Sequence, residues 1–516
     1  MDTVTLTIDG REISVAKGTT VLQAAIESGI NVPYYCYHPG LGVDGNCRVC
    51  LVKIEKMPKL QVSCSITASD GMVVHTGTPD VVKARAGVFE FLLLNHPLDC
   101  PVCDKGGECP LQDFSYSFGP DASRNEFPRR VFDGEGVKAD VDFGPTLMLN
   151  RNRCIMCTRC IRFMREIDGD AQIGVLTRGN SSEIATFEEK GIHSILSGNL
   201  MDVCPVGAIT TRDYRFKSRP WDNPSAVDTI CTQCEKGCNT TAWLRAKPEW
   251  AKGAQLVRFT PRLNADVNQF WMCDIGRFAF EHVNAAGRLE GSLVRETRID
   301  HHDHDHGRPH VHATASSLVP ARNEDALCAV RDMLMSHKDH LFVVSPWLTV
   351  EEGQKLLDYV KRFGAKPIFV SPAANGEKDT LLHTGDPCPN RRGLTELGIE
   401  GVDAKTVHER MKKAKAIVFL GERVIELVGA DAVRQLPQAT SVAVFDCHAL
   451  DLPQVQVCVG VANSAERTGT WINVDGHKGP ISAVKPAPLN VRALARHLDD
   501  LVKLSPRADA MGASTR

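Results

Sequence analysis

The chain has 516 residues, of which 43% are hydrophobic and 24% are charged, and its formal net charge is −3. This composition is ordinary for a globular protein, and at about 150 residues per domain the length predicts three or four domains. The small net negative charge gives no electrostatic reason to expect binding to nucleic acid or to an anionic membrane. No apolar run approaches the roughly eighteen residues of a membrane-spanning helix, and we expect no signal peptide, because the N-terminus lacks a basic region followed by an apolar stretch.

Residues 1–78 predict a small α+β domain of the ferredoxin type. Residues 3–15 alternate in polarity around a turn at Gly10, which indicates a β-hairpin. Thr20 and Gln23 have the spacing of a capping box, so a helix is expected to follow directly. A second helix, at residues 81–94, leads into the next part of the chain.

Three cysteine-rich modules are expected next, at residues 79–119, 140–220 and 224–280. Residues 301–312 (HHDHDHGRPHVH) then hold six of the eighteen histidines. Such a tract could chelate nickel, zinc or copper, but a solvated linker over 281–319 is the preferred interpretation.

Residues 320–510 predict a separate domain built from alternating β and α elements. Buried strands are expected at 341–345, 367–371, 416–421 and 441–446, and helices at 351–363 and 404–413. This alternation indicates a parallel sheet with crossover helices.

Nineteen cysteines need a chemical explanation. Disulfides suit small secreted domains, whereas CxxC clusters in a chain without an export signal favour metal binding. Fifteen of the cysteines, together with one histidine, divide into four sets of four. The others are isolated and are expected to be buried or inert thiols: Cys328, Cys388, Cys447 and Cys458.

The first set is Cys36, Cys47, Cys50 and Cys64, on a glycine-containing loop and one remote position. Four thiolates in this arrangement suit a [2Fe–2S] cluster. A structural zinc site is the alternative, since zinc also accepts four thiolates.

The second set is His96, Cys100, Cys103 and Cys109, with the histidine one helical turn before CPVC. An imidazole in place of one thiolate changes the charge of a cluster and should raise its reduction potential. Zinc accepts Cys3His as well, so this motif alone leaves iron and zinc open.

The third set is Cys154, Cys157, Cys160 and the distant Cys204, which precedes a proline. The run C-x2-C-x2-C with a remote C-P is the pattern of a bacterial [4Fe–4S] ferredoxin.

The fourth set is Cys231, Cys234, Cys238 and Cys273. C-x2-C-x3-C with a distant fourth cysteine also suits a [4Fe–4S] cluster, with a zinc site or an empty remnant as alternatives.

In combination, these motifs resemble those of the 75 kDa subunit family of respiratory complex I, in its bacterial NADH-quinone oxidoreductase form. The matching stretches are VPYYCYHPGLGVDGNCRVC, NHPLDCPVCDKGGECPLQD, NRCIMCTRCIRF, SGNLMDVCPVGAIT and WMCDIGRF, within residues 1–280. The resemblance implies one [2Fe–2S] and three [4Fe–4S] clusters, with His96 as a ligand of the second and the fourth off the main electron path.

The resemblance also implies the overall fold. The N-terminal domain would be a β-grasp ferredoxin, followed by [4Fe–4S] modules and a doubly wound α/β domain similar to molybdopterin oxidoreductases. Only about 240 residues follow Cys273, and no cysteine suited to binding molybdenum follows it closely. The C-terminal domain is therefore expected to be a trimmed scaffold without molybdopterin.

The implied function is electron relay from NADH, through FMN on a partner subunit, towards quinone. The sequence contains neither G-x-G-x-x-G after a strand nor a P-loop, so hydride and quinone sites are expected on partner chains. The expected partners are a flavin-bearing NADH-oxidising subunit and quinone-side iron–sulfur subunits, at the cytoplasmic side of the inner (plasma) membrane, with peripheral attachment. Two alternatives stay open: an electron-input (diaphorase-type) subunit of an NAD-linked hydrogenase or formate dehydrogenase, and a zinc-stapled structural scaffold.

Overall fold

The computed structural model describes residues 2–132, 141–187, 191–247, 249, 255–278, 280–301, 311–373, 378–379 and 381–504. The chain forms two compact units. Unit 1 comprises Met1–Pro224, Arg245–Gly253 and Met272–Asp274, and unit 2 comprises Ser225–Leu244, Ala254–Trp271 and Ile275–Arg516.

A five-stranded sheet with one helix forms the N-terminal part of unit 1. Its elements are β1 (Thr3–Ile8), β2 (Arg11–Ala16), α1 (Val21–Glu27), β3 (Leu51–Ile54), β4 (Gln61–Val62) and β5 (Met72–His75). The strand order is β2-β1-β5-β3-β4, with β1 parallel to β5 and the other neighbours antiparallel. The predicted hairpin and the capping box of Thr20 and Gln23 are both present.

The rest of unit 1 consists of short helices, antiparallel strands and turns. Its elements are α2 (Pro79–Leu94), α3 (Pro110–Phe118), β6 (Val141–Asp142), β7 (Leu147–Leu149), α4 (Arg159–Phe163), β8 (Ile173–Leu176), β9 (Glu183–Thr186), α5 (Asn199–Val203) and β10 (Ile209–Thr211), with 3-10 turns at Cys100–Val102, Arg151–Arg153, Gly179–Ser181 and Pro220–Asp222. Strands β10, β7 and β6 form one sheet, and β8 pairs with β9. Helix α2 starts with a proline, which suits the first helical position because it needs no N–H there. Helix α4 continues into a π-helical turn, Met164–Asp168.

Unit 2 begins with an antiparallel three-stranded sheet and continues into a large α/β domain. Its elements, with α6 starting at the boundary residue, are β11 (Ser225–Ile230), β12 (Asn239–Leu244), β13 (Leu256–Pro261), α6 (Asp274–Phe278), α7 (Glu281–Asn284), β14 (Ser292–His301), β15 (Val311–Ala321), α8 (Asn323–Met335), β16 (His340–Val344), α9 (Val350–Val360), β17 (Ile368–Val370), α10 (Arg391–Glu396), β18 (Glu400–Val402), α11 (Ala404–Met411), β19 (Ala416–Leu420), α12 (Val424–Val428), α13 (Ala430–Arg434), β20 (Ser441–Asp446), β21 (Val455–Gly460), β22 (Gly469–Ile472), β23 (Lys478–Ile481) and α14 (Leu494–Leu504), with a 3-10 turn at Lys361–Phe363.

The main sheet of unit 2 has the order β15-β14-β21-β20-β19-β16-β17-β18. Strands β16 to β21 are parallel to one another, whereas β14 pairs antiparallel with both β21 and the edge strand β15. The four predicted strands correspond to β16, β17, β19 and β20, and the two predicted helices to α9 and α11. Because strand order reverses between β16 and β19, the domain is doubly wound, as expected.

Both faces of this sheet are buried. On one face, Phe342 and Val344 pack with residues of α8, α9 and α14, and on the other, Leu341 and Val343 pack with residues of α11, α12 and α13. This explains the uninterrupted apolar strands of the sequence, since a parallel sheet is covered on both sides. Cys388, Cys447 and Cys458 are buried in these cores, as expected of isolated thiols.

The sequence predicted a solvated linker at residues 281–319, but the structure has two strands there. Strands β14 and β15 occupy about half of that range and pair with each other, and β14 also pairs with β21. The histidine-rich composition of the segment between the two strands hides the strand pattern on either side of it. Residues 302–310 of the histidine tract lie outside the described residues. None of the described helices combines the length and apolar character that crossing a bilayer requires.

Candidate metal centres

The first predicted set lies on the loop between α1 and β3 and on the segment after β4. The thiol of Cys36 is within hydrogen-bonding reach of those of Cys47 and Cys64, and the thiol of Cys50 contacts Cys64. Hydrogen bonds from Cys47 and Cys64 lower the pKa of Cys36, while the same bond raises the pKa of Cys47. The structure therefore brings all four predicted ligands of this set together.

Two buried arginines of α4 hold this loop. Arg162 donates to the backbone carbonyls of Cys36 and Gly42, and Arg159 donates to the carbonyl of Tyr37. Since α4 begins at the third cysteine run, these bonds fix the first ligand set against the third.

The second predicted set lines a cavity of about 200 Å³, to which His96, Cys100, Cys103 and Cys109 all contribute. The buried Nδ1 of His96 has no hydrogen-bond partner among the described residues. Burial lowers the pKa of His96 to about 4, and the Arg153 guanidinium acts in the same direction. His96 is therefore neutral at physiological pH, which is the form of imidazole that binds metals.

The walls of this cavity are closely fitted. A Cβ atom at Gly207 would overlap the sulfur of Cys103, so a glycine is required at that position. The thiol of Cys109 lies 3.8 Å from the carbonyl of Pro205, in the same segment as Gly207. The segment that follows Cys204 thus forms part of the second site as well as belonging to the third.

A buried ion pair completes the wall. Arg153 Nε lies 2.9 Å from Asp99 Oδ2, and the two side chains are only 2% and 6% exposed. Both residues line the cavity. Arg153 Nη1 is buried and has no hydrogen-bond partner among the described residues.

The third predicted set surrounds a smaller cavity of about 20 Å³, lined by Cys154, Cys157, Cys160 and Cys204. Burial raises the pKa of Cys154 to about 12 and that of Cys157 to about 11, and it also raises the pKa of Cys160. Buried neutral thiols of this kind lose their protons only if a nearby positive charge, such as a metal, compensates the thiolate.

The tight cysteine run is shaped by unusual backbone. Met156 and Thr158 have φ values of 52° and 62°, in the left-handed region that non-glycine residues seldom adopt. These two turns separate the three cysteines of the run. The amide of Met156 donates to the sulfur of Cys154 at 3.4 Å, an N–H···S bond of the type that stabilises a thiolate.

The fourth predicted set is divided by the architecture. Cys231, Cys234 and Cys238 are buried on the loop that joins β11 and β12 in unit 2, where the amide of Cys231 donates to the carbonyl of Cys238 at 2.7 Å. Cys273 belongs to unit 1 and is buried there. That Cys273 completes this set remains a prediction.

No group of three or more His, Cys, Asp or Glu side chains in the described ranges converges closely enough to hold a single metal ion. The ligands of the second set border a cavity of about 200 Å³.

Sequence reasoning missed the residues around the ligands. Arg153 and Asp99 each directly precede a predicted ligand, and Gly207 follows Cys204-Pro205. Their position next to predicted ligands was the only sequence feature that pointed to them. It was not enough, because charged side chains usually lie in solvent.

Comparisons with known proteins identify the chain's relatives. Family models match at residues 1–79 (2Fe-2S iron-sulfur cluster binding domain), 85–124 (NADH-ubiquinone oxidoreductase-G iron-sulfur binding region) and 144–210 (NADH-quinone oxidoreductase subunit 3, ferredoxin-like domain). An NADH-quinone oxidoreductase subunit of Rickettsia bellii is 39% identical over 335 residues, which are 65% of this chain and 44% of that protein. Over its N-terminal part, this chain is similar to the 75 kDa subunit family of respiratory complex I.

The chain is also similar in sequence to further members of the complex I 75 kDa subunit family. The corresponding NADH-quinone oxidoreductase subunit of Streptomyces coelicolor is 44% identical over 296 residues, covering 57% of this chain and 34% of that protein. The mitochondrial NADH-ubiquinone oxidoreductase 78 kDa subunit of Candida albicans is 44% identical over 292 residues, covering 57% of this chain and 39% of that protein. The chain thus spans less than half the length of these relatives.

Among solved structures, an NAD+-reducing [NiFe]-hydrogenase in the H2-reduced state matches at 30% identity. The match covers 42% of this chain and 90% of that chain, and its TM-score of 0.37 is too low to support a conclusion about fold.

Proposed function

We propose that this chain is the iron–sulfur electron-relay subunit of an NADH-quinone oxidoreductase. Electrons from NADH would arrive through FMN on a partner subunit and leave towards quinone through iron–sulfur subunits of the same complex. The chain itself would supply neither the hydride site nor the quinone site. The observation that carries the proposal is that three ligand sets lie within unit 1 and that each set contacts at least one of the other two.

Contacts within unit 1 suggest the order of the relay. The first set is tied to the third by Asn46, whose side-chain amide donates to the Met156 carbonyl at 2.8 Å, and by the arginines of α4. The third set is tied to the second by the segment from Cys204 to Gly207 and by Arg153, the residue before Cys154. The third set therefore contacts both of the others, and we propose passage in the order first, third, second. The first and second sets also meet directly, where the Tyr35 hydroxyl donates to the Pro110 carbonyl at 3.4 Å.

The residues present fit the proposed clusters. Four thiols converge in the first set, four cysteines line one cavity in the third, and an unpartnered imidazole nitrogen accompanies three cysteines in the second. The proposed inventory is one [2Fe–2S] and three [4Fe–4S] clusters, with the sixteen residues of the four sets as ligands. When bound, these clusters would supply one-electron redox chemistry, and the protein would tune each potential through charge, hydrogen bonds to sulfur and burial.

Two further parts of the proposal follow from the family resemblance. The fourth cluster would lie off the main electron path, and the doubly wound domain of unit 2 would be a scaffold derived from molybdopterin oxidoreductases, without molybdopterin. The complex would be attached peripherally at the cytoplasmic side of the inner (plasma) membrane through its other subunits.

Metal and sulfide analysis of the full chain, purified anaerobically, tests the proposal. We expect about 14 iron atoms and about 14 acid-labile sulfides per chain, from one two-iron and three four-iron clusters. About four zinc ions with no labile sulfide would refute the relay and establish the zinc-stapled scaffold instead. EPR spectra of the reduced protein should show both cluster types, and Cys47→Ser should remove only the [2Fe–2S] signal.

A further inference from the structure

The Asp99–Arg153 ion pair has an unusual environment. Arg153 is 2% exposed and its Nε binds Asp99, but Nη1 is buried and has no hydrogen-bond partner among the described residues. Leaving a buried donor unsatisfied costs about 1–3 kcal/mol, and more for a charged group. Both residues line the cavity of the second ligand set, together with His96.

We infer that the Asp99–Arg153 pair sets the reduction potential of the cluster held by the second ligand set, Arg153 raising it and Asp99 lowering it. The inference rests on the proposed function, because it needs a cluster in this cavity. The unpartnered Nη1 of Arg153 fits it, since the sulfide atoms of a cluster would offer hydrogen-bond acceptors to a nitrogen that has none among the described residues.

The expected direction follows from charge. Reduction adds a negative charge to the cluster, so a nearby cation favours the reduced state and raises the potential, while a nearby anion lowers it. Burial matters because water and salt screen exposed charges but act weakly on buried ones. Arg129 is also close, donating to the His96 carbonyl at 2.9 Å, but its bond is exposed and its effect should be smaller.

The two charges of the pair depend on each other, because Asp99 prevents Arg153 from being a lone buried cation, which would be costly without a partner. Arg153 and Asp99 should therefore shift the reduction potential of the cluster in opposite directions, and replacing each in turn measures the two effects.

Redox titration of the full chain, followed by the EPR signal that Cys103→Ser abolishes, tests this inference. Arg153→Gln should lower the midpoint potential and Asp99→Asn should raise it. Each should change the oxidised-to-reduced ratio at the wild-type midpoint by roughly tenfold, which is about 59 mV for a one-electron couple. Arg153→Lys keeps the charge and should stay near the wild-type value.

Arg151→Gln is the matched control. Arg151 lies on the same 3-10 turn and also forms an ion pair, with Glu183, but it does not line the cavity. It should leave this potential unchanged. If Arg153→Gln does not load its cluster, the Asp99→Asn and Arg153→Lys titrations decide the question.

Unchanged potentials in loaded Arg153→Gln and Asp99→Asn, or shifts in the same direction, would overturn the inference while leaving the relay intact. A wild-type protein that contains zinc and no labile sulfide would overturn the proposed function, and this inference with it. The two failures are therefore distinguishable from the same preparations.

Discussion

Replacing Gly207 by alanine should remove a single cluster from the relay. The new Cβ would overlap the sulfur of Cys103, and the Cβ of Lys105 would lie 3.2 Å away. To restore an ordinary contact of about 3.5 Å, the sulfur would have to retreat by roughly 1 Å or more, which a metal–sulfur bond cannot absorb. We therefore expect Gly207→Ala to lose the cluster of the second set and to retain about 10 of about 14 iron atoms per chain.

The assay is iron and labile-sulfide analysis combined with EPR of the reduced protein. Gly87→Ala is the matched control, because Gly87 lies within α2 and nothing lies within 4 Å of where its Cβ would be. The control should keep its full iron content and gain about 0.5–1 kcal/mol of stability, as an alanine does in a helix. If Gly207→Ala retained all its iron and an unaltered spectrum, the geometry inferred for this cavity would be wrong.

Three further outcomes are expected. Cys154→Ser should lower iron by about four atoms per chain while the [2Fe–2S] EPR signal persists, and loss of both signals would contradict separate sites. Arg467→Leu should destabilise the full chain by about 3–5 kcal/mol in urea denaturation, because Arg467 is 1% exposed and pairs with the equally buried Glu422 at 2.9 Å; a loss under about 1 kcal/mol would refute this. Burial lowers the pKa of His497 to about 4, so the unfolded state binds more protons between about pH 4 and 6.5, and stability should fall by up to about 3 kcal/mol as pH drops through that window. His497→Gln should flatten this dependence, and an unchanged slope would contradict it.

The ligand sets could be predicted because their information is local. Cysteines two or three positions apart share a turn whatever the rest of the chain does, so the spacing of Cys154, Cys157 and Cys160 indicates one site directly. Distant members such as Cys204 needed a sequence pattern, the following proline, to be assigned. The structure brings Cys204 to the same cavity as the run. The strands of the α/β domain could also be predicted, since strands that are buried on both faces are apolar throughout.

The surroundings of the ligands could not be predicted because they depend on contacts between distant segments. Nothing near Asp99 indicates that it pairs with Arg153, 54 positions away, or that both are buried. Gly207 looks like an ordinary turn residue until Cys103 is placed against it. Likewise, β14 could be assigned to the sheet only through its pairing with β21, more than 150 residues later.

The buried arginines of unit 1 also link folding to cluster binding. Arg153, Arg159 and Arg162 are each less than 10% exposed, and the bonds of Arg159 and Arg162 go to carbonyl oxygens, which carry no charge. Buried cations without full compensation are costly, so a chain without cofactors would be strained at these positions. Thiolates and the clusters they bind are anionic, and they would supply the missing negative charge beside these arginines. Cluster loading should therefore stabilise unit 1 as a whole, by the same linkage that makes metal-binding free energy contribute to folding in other metalloproteins.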